Sequence, residues 1–512
     1  MAAFYLTTAI DYANGDPHLG HAFEKIGADV IARYRRLRGD DVHFLIGMDE
    51  HGQKVAQTAA ERGISPQEQV DEIAASFRAM WARLSISYDQ FIRTTDPAHK
   101  AGVRAFLERA LERNPDDFYE KAYAGWYCVG CELFKRDDEI VGGKCVLHPT
   151  RTLEWTEERN WFFRLSRYGE FIGRLLREQP TFLQPEARRN EILGLLAQGL
   201  EDISISRARL TWGIPFVRPT SDGAQQVIWV WFDALPNYLT ATGFPEARFG
   251  ERWPAQLHVV GKDITRLHAV VWPAMLESAG LPLPERVWGH GFVNLGGERL
   301  SKSAGARLDL NEAVTRFGPD ALRYFVLREV PFDGDGNFSW ERFEDRYNAD
   351  LANAWGNLAS RTIAMVARYF DGKVPAGPRT ELDAADERDL EAYHAAMDGT
   401  RGYLLHEALQ AIWRTVARAN EYVDRQAPWR LAKEPERRGD LETTLAALIR
   451  ALIRQAVYLT PFMPGKSAEL WTQVGAPGTP GTQRFDSIGR LDPTGWVVAK
   501  GPALFPKDAQ PT

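Results

Sequence analysis

Residues 4–34 constrain this chain more than any other stretch. Residues 4–10 (FYLTTAI) are apolar or hydroxylic throughout, as in a buried strand, and residues 11–17 carry the Asn-Gly and Pro punctuation of a loop. A helix follows. Phe23, Ile26, Val30, Ile31 and Tyr34 recur at helical spacing, while Glu24, Lys25, Arg33 and Arg35 fall mostly on the other side. At the bend stand His18, Leu19, Gly20 and His21. There the unpaired backbone N–H groups and the positive end of the helix dipole attract anions, and Gly20 has no side chain to keep a ligand from the backbone. The two histidines either cap and pack this helix end or handle phosphate.

The continuation predicts one half of a doubly wound α/β domain. Residues 42–47 read as a second buried strand, whose crossover should be right-handed. It delivers Asp49-Glu50-His51-Gly52 to a carboxyl end, where open α/β sheets bind ligands. Helical patterns cover 53–62, 66–84 and 97–113, with a strand at 88–93. An insertion then begins near Asn114. Cys128-x2-Cys131, thirteen intervening residues and Cys145-x2-His148 supply four ligands in two pairs, the donor set of a structural zinc with no position left open for catalysis. Aromatic and basic residues follow: Trp155, Trp161, Phe162, Phe163, Arg188 and Arg189.

The α/β pattern resumes in the apolar run 227–234, with Pro236, Asn237 and Tyr238 behind it. A strand at 257–260 ends in Gly261-Lys262-Asp263, and His268 and Trp272, four apart on the next helix, share a face. After a strand at 286–293 a Gly-flanked loop presents Lys302 between Ser301 and Ser303, either an ordinary basic surface loop or a partner for the histidines. Helices at 311–317 and 320–328 form a short mixed segment, and beyond residue 345 the chain turns helical, broken at 372–378 and 475–481. Asn353, Asn357 and Arg361 lie at successive four-residue steps, a solvated polar face or one that reads the edges of unpaired bases.

Composition bounds the function. With 512 residues, 44% of them apolar, the chain has material for about three or four domains. A formal net charge of −7 argues against indiscriminate nucleic-acid binding, so any RNA contact must come from local basic patches. No uncharged apolar run is long enough to span a bilayer, and no secretory leader opens the sequence. Three clustered cysteines do not make a secreted disulfide scaffold, and a reducing cytoplasm fits them.

His18-Leu19-Gly20-His21 together with Arg299-Leu300-Ser301-Lys302-Ser303 resembles the two signatures of class I aminoacyl-tRNA synthetases. Tyr12-Ala13-Asn14-Gly15, Trp231-x-Asp233-Ala234 with Tyr238, and Gly261-Lys262-Asp263-Ile264 with His268, Trp272 and Pro273 narrow the resemblance to the methionyl-tRNA synthetase family. The resemblance implies a Rossmann-type doubly wound parallel sheet, split by a zinc-binding connective insertion and followed by an all-α helical bundle. Its divisions fall at 1–114 and 226–297 for the catalytic halves, 115–225 for the insertion, 298–344 for the lysine loop and stem-contact region, and 345–512 for an anticodon-binding domain. It further implies that His18, Gly20, His21 and Lys302 handle ATP, and that Ile10, Tyr12, Asp49, Trp231, Ala234, Tyr238, Ile264 and His268 bind methionine. Cys128, Cys131, Cys145 and His148 would hold one zinc, while Asn353, Asn357, Arg361 and Trp429 would read the anticodon of tRNA(Met). Mg²⁺ would accompany ATP.

Arg299-Leu300 and Leu19 depart from the commoner Lys-Met and Ile while keeping charge and apolarity. One zinc site stands where some relatives carry two, and an appended C-terminal tRNA-binding domain is lacking, which implies a monomer acting without DNA or membrane. A synthetase for leucine, isoleucine or valine would carry a larger insertion. A non-catalytic RNA-binding relative would have lost His18, His21 or Lys302.

Overall fold

The structure, a computed structural model, describes residues 2–295, 298–299 and 309–506, apart from 130, 132, 136 and 147. Its centre is a seven-stranded sheet in which β1 (Ala3–Thr8) is flanked on one side by Leu257–Gly261, Val287–His290 and Leu183–Gln184. On its other side lies β3 (Asp41–Asp49), which pairs with both β2 (Asp11–Tyr12) and β4 (Gln90–Arg93). All these pairings are parallel. Parallel strands are covered on both faces, which is why β1 and β3 read as nearly continuous apolar runs.

Side chains of successive strand residues point to opposite faces. Phe4 and Leu6 of β1 and Phe44, Ile46 and Met48 of β3 enter one core, shared with helix α1 (Leu19–Arg38) and the C-terminal helices. Tyr5 and Leu45 enter a second core, which holds Phe118 and Phe163 at the root of the insertion together with Trp229, Tyr238 and Trp272. The sheet thus divides the molecule's interior in two.

The insertion is a ribbon. Its strand Phe118–Cys128 pairs antiparallel with Glu154–Phe163 from Phe118↔Phe163 out to Tyr127↔Glu154. At the far end a separate small core of Cys128, Cys145 and Leu153 takes over. Before the chain leaves the insertion, Leu183–Gln184 pairs with the edge of the main sheet.

The apolar run 227–234 and the expected strand 286–293 are each divided. Of residues 227–234 only Val227–Ile228 is extended, antiparallel to Ser206–Arg207, and Val230–Ala234 forms a short helix. A buried apolar run has no period to separate strand from helix, and the Trp229 N–H is captured by Ile205 O at 2.8 Å. Residues 286–293 split into Val287–His290 and Val293–Leu295, the latter parallel to Gly336–Phe338 in another sheet. The break falls at Gly291, where a Cβ would lie 1.9 Å from Gly334 O, so two backbones meet where only glycine fits.

The C-terminal region packs Asn357–Tyr369, Glu381–Met397, Leu405–Gln426, Arg438–Leu459 and Pro464–Gln473 together. Arg323, fully buried on Pro319–Glu329, ties this region to α1 and to the end of the helix Pro66–Arg83. Its guanidinium donates to Asp29 Oδ2 at 2.7 Å, Leu84 O at 3.0 Å, Pro461 O at 2.7 Å and Phe462 O at 2.8 Å. A buried guanidinium is tolerated because its donors are met this way. Among the described residues no helix is long and apolar enough to cross a membrane.

Candidate active site

Helix α1 begins at the expected bend, with His18 as its N-cap. His18 Nδ1 accepts from Gly20 N–H at 3.1 Å, His21 Nδ1 accepts from His18 N–H at 3.2 Å, and the rings stack with centroids 3.7 Å apart. Capping and stacking fix both rings, and accepting at Nδ1 places the proton of each neutral imidazole on Nε2. A Cβ on Gly20 would stand 3.0 Å from His18 Cε1, so the missing side chain makes room for this imidazole. Lys302 lies outside the described residues.

Glu24 and Lys25, expected on the polar side of α1, are buried instead. Lys25 Nζ donates to Ala9 O and Asp11 Oδ1, both at 2.9 Å, and to Glu24 Oε1 at 2.7 Å, while Glu24 Oε2 lies 3.1 Å from His290 Nε2. Burial pushes Glu24 up, but Lys25 and then His290 outweigh it and hold the carboxyl below its usual range. Asp11 is pushed by burial up to about 7 against the pull of Lys25. Helical spacing missed this cluster because its partners come from the strand ends, His290 from 266 residues away.

Opposite α1, several residues expected to bind methionine gather at the carboxyl ends of the strands. Tyr12 pairs with Asp49, which is buried at the end of β3. Trp231 and Ala234 lie on the Val230–Ala234 helix, Tyr238 on Asn237–Thr240, and Ile264 and His268 follow the strand Leu257–Gly261. Ile10, Tyr12, Trp231 and Ile264 pack, partly buried, on the core that contains Tyr238.

His268 Nδ1 donates to Ile264 O at 3.0 Å, which leaves Nε2 to accept the Tyr238 hydroxyl at 2.7 Å. Burial pushes His268 down to about 4 and the Tyr238 hydroxyl far up, so both are neutral. Trp231 meets the His268 ring edge-on, at 6.5 Å between centroids. His268 sits in a π-helical turn, Leu267–Val271, yet it shares a face with Trp272 as expected, since both rings contact Tyr238.

Cys128, Cys131, Cys145 and His148 converge, with all ligand atoms within 4.8 Å of one another. Cys131 Sγ lies 3.5 Å from Cys145 Sγ and 3.2 Å from His148 Nδ1. Sulfurs bound to one tetrahedral zinc stand about 3.8 Å apart, so this donor set fits a metal ion.

The residues expected to read RNA stand apart from this centre. Asn353 and Asn357 are exposed, and Arg361 is half-buried, donating to Asn420 Oδ1 at 2.8 Å and Asp424 Oδ1 at 3.3 Å. Trp429, on the short helix Pro428–Leu431, is 41% exposed, enough to offer a ring face. Tyr347–Gly356 is π-helical rather than α-helical, so the four-residue steps hold only from Asn357 onward.

A family model described as tRNA synthetases class I (M) matches residues 4–363, and one described as the anticodon binding domain of methionyl tRNA ligase matches 372–507. The methionine–tRNA ligase of Thermotoga maritima is 43% identical over 517 residues, covering 98% of this chain and 80% of the relative. That of Thermosynechococcus vestitus is 43% identical over 482 residues, covering 92% and 90%. Mycobacterium tuberculosis methionyl-tRNA synthetase in complex with methionyl-adenylate superposes with a TM-score of 0.92 at 39% identity, covering 99% of this chain and 100% of that one. Sequence, fold and the histidine-capped helix agree, and the chain belongs to the class I tRNA synthetases, in the methionyl family.

Proposed function

We propose that this protein is a methionine–tRNA ligase: it joins L-methionine to ATP as methionyl-adenylate, releases pyrophosphate, and passes the methionyl group to the 3′ end of tRNA(Met), initiator and elongator. The observation that carries this reading is the pairing, at the carboxyl ends of the strands of one parallel sheet, of a histidine-capped helix end with the neutral aromatic wall of Trp231, Tyr238 and His268.

The methionine carboxylate attacks the α-phosphorus in line and pyrophosphate leaves. His18 and His21 donate from Nε2–H to the triphosphate, Gly20 leaves the space the His18 ring needs and permits close approach of ATP, and Lys302 meets the phosphates as its loop closes. Asp49 holds the ammonium. Ile10, Tyr12, Trp231, Ala234, Tyr238, Ile264 and His268 hold the side chain, whose polarisable thioether favours aromatic contact. Because the Tyr238 O–H donates its hydrogen bond to His268, the oxygen is left to accept. The terminal ribose hydroxyl of tRNA then attacks the adenylate carbonyl and AMP departs. Mg²⁺ bound with ATP would offset charge on the separating phosphates.

Residues 1–114 and 226–297 form the catalytic halves, 115–225 the connective insertion, 298–344 the lysine-loop and stem-contact region and 345–512 the anticodon-binding domain. In that last domain Asn353, Asn357, Arg361 and Trp429 read the anticodon. Cys128, Cys131, Cys145 and His148 hold one structural zinc. The enzyme works as a cytoplasmic monomer. ATP–pyrophosphate exchange with each of the twenty amino acids tests the reading. Exchange with methionine alone is expected, exchange with leucine, isoleucine or valine would refute the pocket, and none from folded, metal-replete protein would refute the activity.

A further inference from the structure

Between the end of β3 and the Val230–Ala234 helix runs a buried polar chain that the chemistry above does not use. Asp233 Oδ2 lies 2.5 Å from His51 Nδ1, and Asp233 Oδ1 lies 3.0 Å from His99 Nε2. His99 Nδ1 continues to Thr240 Oγ1 at 2.8 Å. All four side chains are buried. Burial pushes the Asp233 carboxyl up, but His51 and then His99 outweigh burial and hold it below the usual carboxylate range. A carboxylate only accepts, so His51 presents Nδ1–H and His99 presents Nε2–H. His51 Nε2 has no hydrogen-bond partner among the described residues, so the ring's hydrogen bonding rests on Nδ1, while the ring packs edge-on against Trp212 at 5.4 Å between centroids.

Asp233 stands between Trp231 and Ala234 on a helix of five residues whose N-cap makes no side-chain hydrogen bond. So short a helix is not self-supporting and takes its place from tertiary contacts. One ring reaches it from the strand end that carries Asp49, the other from the helix Pro97–Arg113. We propose that His51 and His99 are positioning residues for amino-acid selection: through Asp233 they set the depth at which Trp231 and Ala234 line the pocket. The inference rests on the assignment of Trp231 and Ala234 to methionine.

Exchange kinetics test it. His51→Leu and His99→Leu raise KM for methionine about tenfold or more, with kcat and KM for ATP within about threefold of the parent. The phosphate-binding histidines cap α1, which packs on the other face of the sheet. An Asn amide N–H reaches where Nδ1–H lies and a Gln amide where Nε2–H lies, so His51→Asn and His99→Gln restore KM for methionine to within about threefold, whereas His51→Gln does not.

Trp231→Ala separates the two claims. Unchanged KM for methionine in that variant would overturn the pocket itself. A raised KM in Trp231→Ala beside unchanged values in folded His51→Leu and His99→Leu would overturn the positioning role, as would an equal rise for methionine and ATP. If the leucine variants do not fold, His51→Asn against His51→Gln decides: a lower KM in Asn supports the role and equal values overturn it.

Discussion

The two faces of the central sheet are finished with different polar chemistry. On the α1 face buried charges stand in mutual contact, Asp29 with Arg33 and Arg323 and Lys25 with Asp11 and Glu24, beside the neutral chain of Tyr34, His394 and Tyr458. On the opposite face the buried polar groups are mostly neutral rings and hydroxyls, as in Tyr238 with His268 and Thr7 with His258, with Asp233 held between two imidazoles. Charges suit a face that anchors the helix proposed to meet phosphate and packs against the C-terminal helices. Neutral donors and acceptors suit a pocket for an apolar side chain, where an unpaired charge would carry a heavy desolvation cost.

Substitutions can sharpen or break this contrast. The largest effect belongs to the phosphate side: His21→Ala or Lys302→Ala lowers the exchange rate on the order of a hundredfold, the scale of lost transition-state electrostatics, while KM for methionine stays put. A comparable rise in that KM would erase the distinction between the faces. Next come Asn357→Ala and Arg361→Ala, which lower kcat/KM for tRNA in aminoacylation about tenfold and leave exchange unchanged. Equal loss in both assays would show that the helical region acts through the shared core rather than by reading RNA.

Tyr238→Phe removes the hydrogen bond to His268, worth about 1 kcal/mol, and should raise KM for methionine about fivefold at constant KM for ATP. The smallest effect is on stability. His268 on one face and His394 on the other are both pushed by burial from 6.5 down to about 4. Between those values the unfolded chain binds protons on these two groups that the folded protein does not, so they lower stability as pH drops from about 6.5 towards about 4 and add no slope above that range. Asp11, raised to about 7, contributes in the opposite direction. Urea midpoints at a series of pH values check it. His394→Gln should flatten the slope, and an unchanged slope would remove the α1 face from the effect.

Much of this was legible because local chemistry agreed with the global fold. Gln53–Arg62 ends at Gly63 in the left-handed region, Pro66–Arg83 starts with a Ser65-Glu68 capping box, and Pro97–Arg113 opens on proline; the expected spans match within a residue. The convergence of Cys128, Cys131, Cys145 and His148 was legible because paired spacing encodes it. What spacing could not encode was partnership at a distance. His51 and His99 meet Asp233 across 182 and 134 residues, and Glu24 and Lys25 look like solvent-facing charges until the strand ends close over them. The π-turns at 267–271 and 347–356 are equally silent, since no composition marks the change from four- to five-residue hydrogen bonding.

The insertion's far tip has a consequence for how the molecule is made and lost. Two of the three side chains in its private core, Cys128 and Cys145, belong to the cluster that could hold a metal ion, and the ten-residue strand Glu154–Phe163 separates that tip from the root of the insertion by about 30 Å. An ion bound there would do the work that apolar bulk does elsewhere. A cell starved of it would build a sound sheet and helical bundle with an unfinished outrigger, which would open to proteases long before the interior yields.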